Sequence, residues 1–285
     1  MGHHYTPQAY LRPFQAPEAP GMIWTYPRNA EPRLAPIKNV AQAGGFYDPD
    51  VESDLNTHIE APANPILDKL RRGQMINGEE RQRVAVYIAT MLYRVPRNRE
   101  RGEALIPEAR DDTISKARRA LVERAVFGGV PLKRLQGWLT NLRTVKEQWD
   151  VETPTAVTEE VRKPWPSELV VRLIHAMQWR VLVAEPPEMF ITSDNPAFFF
   201  ESIGMAKDDA ELSLPLSPSH CLHGSHQLIA GDRLDYMSFD RETVREMNRR
   251  IASAATSIVM AHEKQAWIIK LLRKKPDLHR MSWST

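Results

Sequence analysis

The side chains that could carry chemistry in this 285-residue chain are an imidazole, two carboxylates, a guanidinium and an amide, all far apart in sequence. They belong to His4, Glu60, Asp194, Arg94 and Asn195. An imidazole with two carboxylates can hold a hard divalent cation or divide the roles of general acid and general base. An arginine beside them can neutralise a phosphate or carboxylate on a substrate. These residue types predict a polar site for an anionic substrate.

The turn around Asp194 is the clearest local signal. An apolar run at residues 190–192 stops in Ser193, Asp194, Asn195 and Pro196. Asp and Asn favour turns in which the side chain bonds the backbone, and Pro196 keeps Asn195 out of helical geometry. The pattern predicts a strand end that presents a carboxylate from a rigid scaffold.

The N-terminal segment carries His3 and His4, followed by apolar and aromatic residues that include Tyr5 and Phe14. Burying that much apolar area is favourable, so the segment is expected to dock on the body of the protein. Docking would fix both histidines in place.

The remaining candidates lie at the edges or inside of predicted helices. Glu60 falls in a helical region at residues 51–73, just before an interruption at Pro62. Arg94 falls at the edge of an apolar helical stripe, from which it can reach inward. Asn248 falls inside the stripe of a later helix, where a buried amide needs hydrogen-bond partners. We expect Asn248 to brace the Asp194 turn.

The alternation of these patterns predicts an α+β fold: a helix-rich single domain with a short, mostly antiparallel sheet and a small N-terminal β segment. The sheet is expected from a meander of short runs that includes residues 189–192. A helical stripe is expected to continue through Ile258 and Val259. Residues 151–166 are predicted to form a polar connection. The alternative to a single domain is therefore a subdivision into residues 1–150 and 151–285.

Composition limits the classes of partner. The net charge is only +2, but residues 97–143 hold eleven Lys and Arg residues against six Asp and Glu residues, a local charge of +5 that could attract nucleic acid. A single cysteine excludes an intramolecular disulfide and is typical of a cytoplasmic protein. No apolar run approaches the roughly 20 residues that span a bilayer, so no membrane partner is expected. No pattern indicates an organic cofactor.

Four motifs occur in order along the chain. They are His-His-Tyr-Thr-Pro-Gln-Ala-Tyr-Leu-Arg-Pro-Phe at residues 3–14, Phe46-Tyr47 followed by Glu60, Arg94-Val95-Pro96-Arg97, and Phe-Ile-Thr-Ser-Asp-Asn-Pro at residues 190–196. Together they resemble the prokaryotic family called domain of unknown function 4238 over nearly the whole chain. The resemblance implies a shared organisation and carries over no activity. It also leads us to expect a glutamine in the helix before Arg94, where Met91 and its neighbours stand.

The first functional hypothesis is a hydrolase acting on a phosphate-bearing substrate, as a metal-assisted phosphodiesterase or nuclease. His4, Glu60 and Asp194 would surround Mg²⁺ or Mn²⁺, and Asn195 joins them as a catalytic candidate. The candidate substrate-binding residues are Arg94, Arg97, His3, Tyr5 and Asn248.

The alternative hypothesis is a non-catalytic binding or protein-interaction module, because structural networks use the same residue types. Asp194 would then pair with Arg94 in a buried salt bridge, while His4 and Tyr5 would pin the N-terminus. A third hypothesis, an ADP-ribosyl transferase suggested by His-Tyr-Thr, is disfavoured because Pro7 does not suit a central strand.

Overall fold

The structure is a computed structural model that describes residues 2–44, 49–162, 165–200, 203–226, 234–273 and 278. For residues 97–110 and 149–162 it describes the backbone. The chain divides into two compact units. The main unit contains Met1–Pro96 with Trp165–Thr285, and the helical arm contains Arg97–Pro164.

The described strands are β1 (Gly2–His4), β2 (Met22–Pro27), β3 (Arg33–Pro36), β4 (Gln42–Gly44), β5 (Gln178–Ala184), β6 (Thr192–Ser193), β7 (Phe198–Phe199), β8 (Glu211–Ser217), β9 (His220–Ser225), β10 (Asp235–Phe239) and β11 (Ile258–Ala261). The described α-helices are α1 (Gln8–Leu11), α2 (Pro49–Asp54), α3 (Ala61–Arg71), α4 (Gly78–Tyr93), α5 (Pro96–Phe127), α6 (Leu132–Arg162), α7 (Glu168–Ala176), α8 (Arg241–Ala254) and α9 (Ala266–Arg273). Short 3₁₀ segments lie at Arg12–Phe14 and Ile37–Asn39, and a π-helical segment lies at Leu55–Glu60. The α+β prediction is confirmed.

One antiparallel sheet joins the two ends of the main unit. Its strand order is β3-β2-β11-β6, so the N-terminal hairpin lies beside the C-terminal strand β11. β11 also pairs with β6, through Val259 with Ser193 and Met260 with Thr192. The predicted N-terminal β segment is therefore present. Thr192, by contrast, belongs to this sheet and not to the predicted meander.

The second large sheet has the strand order β10-β5-β9-β8-β7 and is antiparallel except for the β10–β5 pair. β8 is buried along its whole length, which places this sheet in the centre of the main unit. Tyr10 links the N-terminal segment to it, since its hydroxyl donates to the Pro215 carbonyl at 2.6 Å. The same hydroxyl is 2.9 Å from the hydroxyl of Thr192, so one side chain bridges both sheets.

Helix α4 carries Arg94 to the site. Its capping box is complete: the Asn77 side chain accepts from the Glu80 amide, and the Glu80 carboxylate accepts from the Asn77 amide. The buried stripe includes Val84 and Ile88, and the helix ends at Tyr93. Arg94 is therefore the C-cap residue, and its side chain is only 2% exposed.

The helical arm consists of the long helices α5 and α6. Only residues 128–131 separate the two helices, and an ion pair of 3.1 Å joins Lys146 of α6 to Asp111 of α5. Because both residues lie about four turns from this short connection, the helices run in opposite directions. The predicted connection at residues 151–166 is wrong for its first part, because α6 continues through Pro154 to Arg162. An established helix adds residues more easily than it starts, so it extends past a proline that local propensity would place in a loop. No helix among the described residues is long and apolar enough to cross a membrane.

Helix α8 ends earlier than its apolar stripe predicts. It stops at Ala254, and Ile258 and Val259 lie in β11 instead. The amides of residues 256–258, which a longer helix would bond internally, donate instead to the Asp194 carboxylate. A long-range acceptor has therefore replaced the local helical ones.

A buried ionic network joins α8 to β8 and β9. Arg250 lies 2.8 Å from one Glu211 carboxylate oxygen, and His223 lies 3.3 Å from the same oxygen. Arg250 also lies 3.4 Å from Glu246. Burial raises the pKa of Glu211, but the hydrogen bond from His223 and the charge of Arg250 outweigh burial, and the net pKa is lowered. Glu211 is therefore held in its charged form inside the protein.

Replacing Arg250 should destabilise the fold strongly. Arg250→Met removes the cation that neutralises the buried Glu211 carboxylate, so we expect the free energy of unfolding to fall by about 3–5 kcal/mol. Urea denaturation followed by circular dichroism measures the change. Arg245→Met, at an exposed position of the same helix, is the matched control and should change stability by less than about 0.5 kcal/mol. Equal midpoints for both variants would contradict the network's role.

Candidate functional site

A polar pocket opens in the main unit between the N-terminal strand and the helices around Glu60. Its volume is about 600 Å³, within the range of small-molecule sites. The lining residues are His3, His4, Pro7, Gln8, Ala9, Arg12, Glu52, Ser53, Asn56, Glu60 and Arg94. Two imidazoles, two carboxylates and two guanidiniums therefore share one opening.

Strand β1 forms one wall of the pocket. It pairs antiparallel with β4, which sets His3 opposite Ala43 and His4 opposite Gln42. The amides of the next two residues, 5 and 6, both donate to the Ala41 carbonyl, at 3.0 and 3.4 Å. Ala41 has a positive φ of 51°, a conformation unusual for a residue with a side chain. Backbone strain of this kind clusters at functional sites.

The opposite wall is the helical stretch from α2 into the π-helical segment. Glu52, Asn56 and Glu60 are spaced by four residues and all line the pocket. The Ala61 amide donates to the Asn56 carbonyl, five residues earlier, as in a π-helix. Such a helix holds more than the 3.6 residues per turn of an α-helix, so a spacing of four keeps side chains closer to one face. Pro62, whose ring clashes with an ordinary helical carbonyl, favours this widening.

Arg94 links the two walls. One guanidinium nitrogen donates to Glu60 at 2.5 Å, and another donates to the His4 carbonyl. Burial raises the pKa of the neighbouring Tyr87, and the charge of Glu60 raises it further. Arg94 thus anchors a catalytic candidate and the histidine strand from a buried position, which makes it a positioning residue.

The two histidines have different partners. His4 Nε2 lies 3.1 Å from the Lys38 carbonyl, which can only accept, so Nε2 carries the proton and Nδ1 is the acceptor of the neutral ring. His3 Nε2 lies 3.6 Å from a carboxylate oxygen of Glu52 and forms an ion pair when protonated. The pocket therefore contains two imidazoles in different environments.

Asp194 is not in the pocket. It is fully buried, and its carboxylate accepts from the Thr256 amide at 2.8 Å, the Ser257 amide and hydroxyl at 2.7 Å each, and the Ile258 amide at 3.2 Å. The predicted carboxylate at a strand end is present, but it faces the chain around β11. The salt bridge between Asp194 and Arg94 that the alternative hypothesis predicts does not form either, because these donors occupy the carboxylate.

Two other candidates, Asn195 and Asn248, also make structural hydrogen bonds near this turn. Asn195 donates from its side chain to the Ala254 carbonyl at 3.0 Å and is 8% exposed. Asn248 accepts from the Ile191 amide at 3.0 Å and donates to the Met189 carbonyl at 2.9 Å. Asn248 is therefore buried and bonded outside its own helix, as expected, but it braces the segment before the Asp194 turn and not the turn itself. None of these residues lines the described pocket.

Tyr5 and Thr6 connect this turn to the histidine strand. The Thr6 hydroxyl donates to the Asp194 carbonyl at 3.2 Å. Burial, and then the charge of Asp194, raise the pKa of Tyr5 to about 12, and its side chain hydrogen-bonds Ser257. Tyr5 is thus a buried link and not an exposed substrate contact.

The predicted metal set of His4, Glu60 and Asp194 does not come together. Within the described part of the chain, no group of three or more His, Cys, Asp or Glu side chains could hold a metal ion. Asp194 is occupied by four donors at the β11 turn. The side chain of Arg97, a predicted substrate contact, lies outside the described residues.

Two pocket residues were missed from the sequence. Arg12 is exposed, lines the pocket and makes no ion pair with any residue that the structure describes. Glu52 pairs with His3. Neither had a pattern to distinguish it from a solvated surface residue, although Arg12 lies within the N-terminal motif. Arg12 thus brings an exposed positive charge to the pocket.

Comparison with known proteins supports the family resemblance. The family model described as "Protein of unknown function (DUF4238)" matches residues 2–265. No curated protein and no solved structure matches the chain. The matched region includes both the pocket residues and the Asp194 turn.

Changing Asp194 should reduce stability. Asp194→Asn places an NH₂ group against backbone donors, and Asp194→Ala removes both acceptors, so each should lower the free energy of unfolding by about 2–4 kcal/mol. Asp235→Asn, at an exposed position, is the control. Urea denaturation without added metal distinguishes the roles. A metal ligand with no structural role would leave stability unchanged in both variants, which would contradict this assignment.

Proposed function

The chain belongs to the family described as a protein of unknown function, DUF4238, and we propose that its N-terminal pocket is the active site of a hydrolase acting on a phosphate-bearing substrate. The observation that carries the proposal is the pairing of two imidazoles in different environments with an exposed arginine in one pocket. General acid–base cleavage of a phosphate ester needs a proton acceptor, a proton donor and a cation for the phosphate.

Each residue has a distinct role. Arg12 binds the substrate phosphate, because its guanidinium is exposed and presents paired N–H donors. His4, with its Nε2–H held by Lys38, accepts a proton at Nδ1 from the attacking water or hydroxyl. His3, oriented by Glu52, donates a proton to the leaving oxygen. A phosphorus–oxygen bond forms to the nucleophile while the bond to the leaving group breaks.

Glu60 and Arg94 hold this arrangement. Arg94 fixes the His4 backbone and orients the Glu60 carboxylate, so the roles predicted for these two residues are assigned here as positioning and electrostatic. The four-donor occupancy of Asp194 removes it from the proposed reaction. Because carboxylates such as Glu52 and Glu60 are ligands that Mg²⁺ and Mn²⁺ prefer, assays should include these ions and a chelator as separate conditions.

Nucleic acid is the polymeric substrate to test first. The local charge of +5 at residues 97–143 would attract it. We place the reaction in the cytoplasm, which suits a chain with a single cysteine.

The second candidate is a binding or protein-interaction module without catalysis. The observation that favours it is the buried hydrogen bonding of Asp194, Asn195 and Asn248, which supports a structural role for this part of the predicted constellation. The pocket would then bind a phosphate-bearing ligand without turnover. Saturable binding with no product would support this candidate.

Removing the proton acceptor should abolish turnover. The purified protein is incubated with bis(p-nitrophenyl) phosphate, single- and double-stranded DNA, and RNA, each with Mg²⁺, Mn²⁺ or chelator. We expect cleavage that falls by about 10²–10⁴-fold in His4→Ala, the range typical of a lost general base. His58→Ala is the control, since His58 is exposed on the π-helical segment and does not line the pocket. Cleavage that survives His4→Ala would point to another site.

Removing the pocket cation should weaken substrate binding more than turnover. Arg12→Ala loses a charge-assisted contact to phosphate, so we expect KM to rise by roughly tenfold or more, with a smaller change in kcat. Arg245→Ala, an exposed arginine outside the pocket, is the matched control. Steady-state kinetics on the substrate cleaved above gives both constants. An unchanged KM would contradict the role of Arg12.

A further inference from the structure

The tip of the helical arm is a tightly defined turn. Helix α5 ends at Phe127 and α6 begins at Leu132. Gly129 has a φ of +62°, and the Val130 amide donates to the Ala125 carbonyl at 3.0 Å, as in a Schellman motif. A Cβ on Gly128 would approach the Arg124 carbonyl oxygen to 2.6 Å. The backbone therefore specifies this turn and which side chains stand at its apex.

The apex is apolar and exposed. Phe127 is 89% exposed, and Val126 and Leu132 are each 69% exposed. These three fractions exceed those of every other large hydrophobic residue among the described side chains. Soluble proteins rarely cluster exposed apolar residues without a binding role. The concentration of all three within seven residues marks the tip as an interaction surface.

Cations surround the apex. Residues 118–134 contain five Lys and Arg residues, Arg118, Arg119, Arg124, Lys133 and Arg134, against one acid, Glu123. Arg124 precedes Phe127 by three residues, about 4.5 Å along the helix, and Lys133 directly follows Leu132. Arg124 and Arg134 also lie over the ring of Trp138, at 6.0 and 5.7 Å from its centroid. The charges thus form a collar just behind the apolar apex.

We propose that this tip docks on the surface of an anionic lipid membrane. A lipid leaflet presents negative headgroups above hydrocarbon, which complements an apolar apex followed by a basic collar. Interfacial elements insert apolar side chains by roughly 5–10 Å, and the axial offset of about 4.5 Å between Phe127 and Arg124 leaves the cation near the headgroups when the apex inserts. This docking needs no spanning helix. The contact is peripheral, and it does not rest on the proposed reaction.

Nucleic acid explains the tip less well. A phosphate backbone would attract the collar, but it gives Val126 and Leu132 no apolar surface against which to bury. Binding of single strands uses several aromatic platforms, whereas Phe127 is the one aromatic side chain at this apex. Both the apolar apex and the charges find partners on a lipid surface.

Vesicle sedimentation of the full chain tests the proposal. The protein is mixed with phosphatidylcholine vesicles or with vesicles of phosphatidylcholine and phosphatidylglycerol. We expect the wild type to bind strongly to the anionic vesicles. The partition coefficient of Phe127→Ser should be at least about tenfold lower than that of the wild type. In the double variant Lys133→Glu/Arg134→Glu, the partition coefficient should fall by about fivefold or more for each cation that is replaced. Leu169→Ser, which removes a 59% exposed leucine from α7, is the control and should bind like the wild type.

The outcomes distinguish a lipid surface from nucleic acid as the partner of the tip. Absence of binding to anionic vesicles, or equal binding by Phe127→Ser and the wild type, would overturn the proposal. DNA binding that depends on Lys133 and Arg134 but not on Phe127, without vesicle binding, would assign the tip to nucleic acid instead. Because Phe127 is exposed, its variant should keep the wild-type circular dichroism spectrum and melting temperature. A variant that unfolds would contradict the exposed placement itself.

Discussion

The buried guanidinium of Arg94 is the interaction on which the pocket depends. A cation that is 2% exposed needs an opposite charge and hydrogen-bond acceptors close to it. Glu60 provides the opposite charge, and the His4 carbonyl accepts a second hydrogen bond. Because these partners lie on a helix end and on the N-terminal strand, their contacts with Arg94 set the position of both walls. The pocket therefore forms where the buried charge of Arg94 draws partners from both walls.

The family motifs divide into two groups with different physical roles. Asp194 lies where backbone amides from a distant strand reach it, and the whole carboxylate is used to hold β6 against β11. His3 and His4 lie where the chain leaves an opening, and both line the pocket. Thr6 connects the groups through the Asp194 carbonyl. Similar polar residue types thus act as brace or as site according to the donors and the space around them.

The sequence predicts those features of the fold that depend on local patterns along the chain. The buried position of Asn248 follows from its place in the apolar stripe of a helix, and it is confirmed. The partners of Asp194 are 62 to 64 residues away and depend on strand pairing, which no local period shows. Glu52, in α2, and Glu60 line the same pocket across the π-helical segment between them, whereas a helical pattern in a sequence is judged at 3.6 residues per turn. Arg12 looks like any surface arginine until the fold places it beside the histidines.

The most direct test of the proposed site is long-range ¹H–¹⁵N NMR of the imidazole rings, titrated with a slowly hydrolysed phosphorothioate dinucleotide. Our account predicts that neutral His4 carries its proton on Nε2, as the Lys38 carbonyl requires. It also predicts that the ligand shifts the His3 and His4 signals, while the signals of His223, buried in the Arg250 network, stay unchanged. A proton on Nδ1 of His4, or saturating ligand without a shift of either N-terminal histidine, would contradict the account.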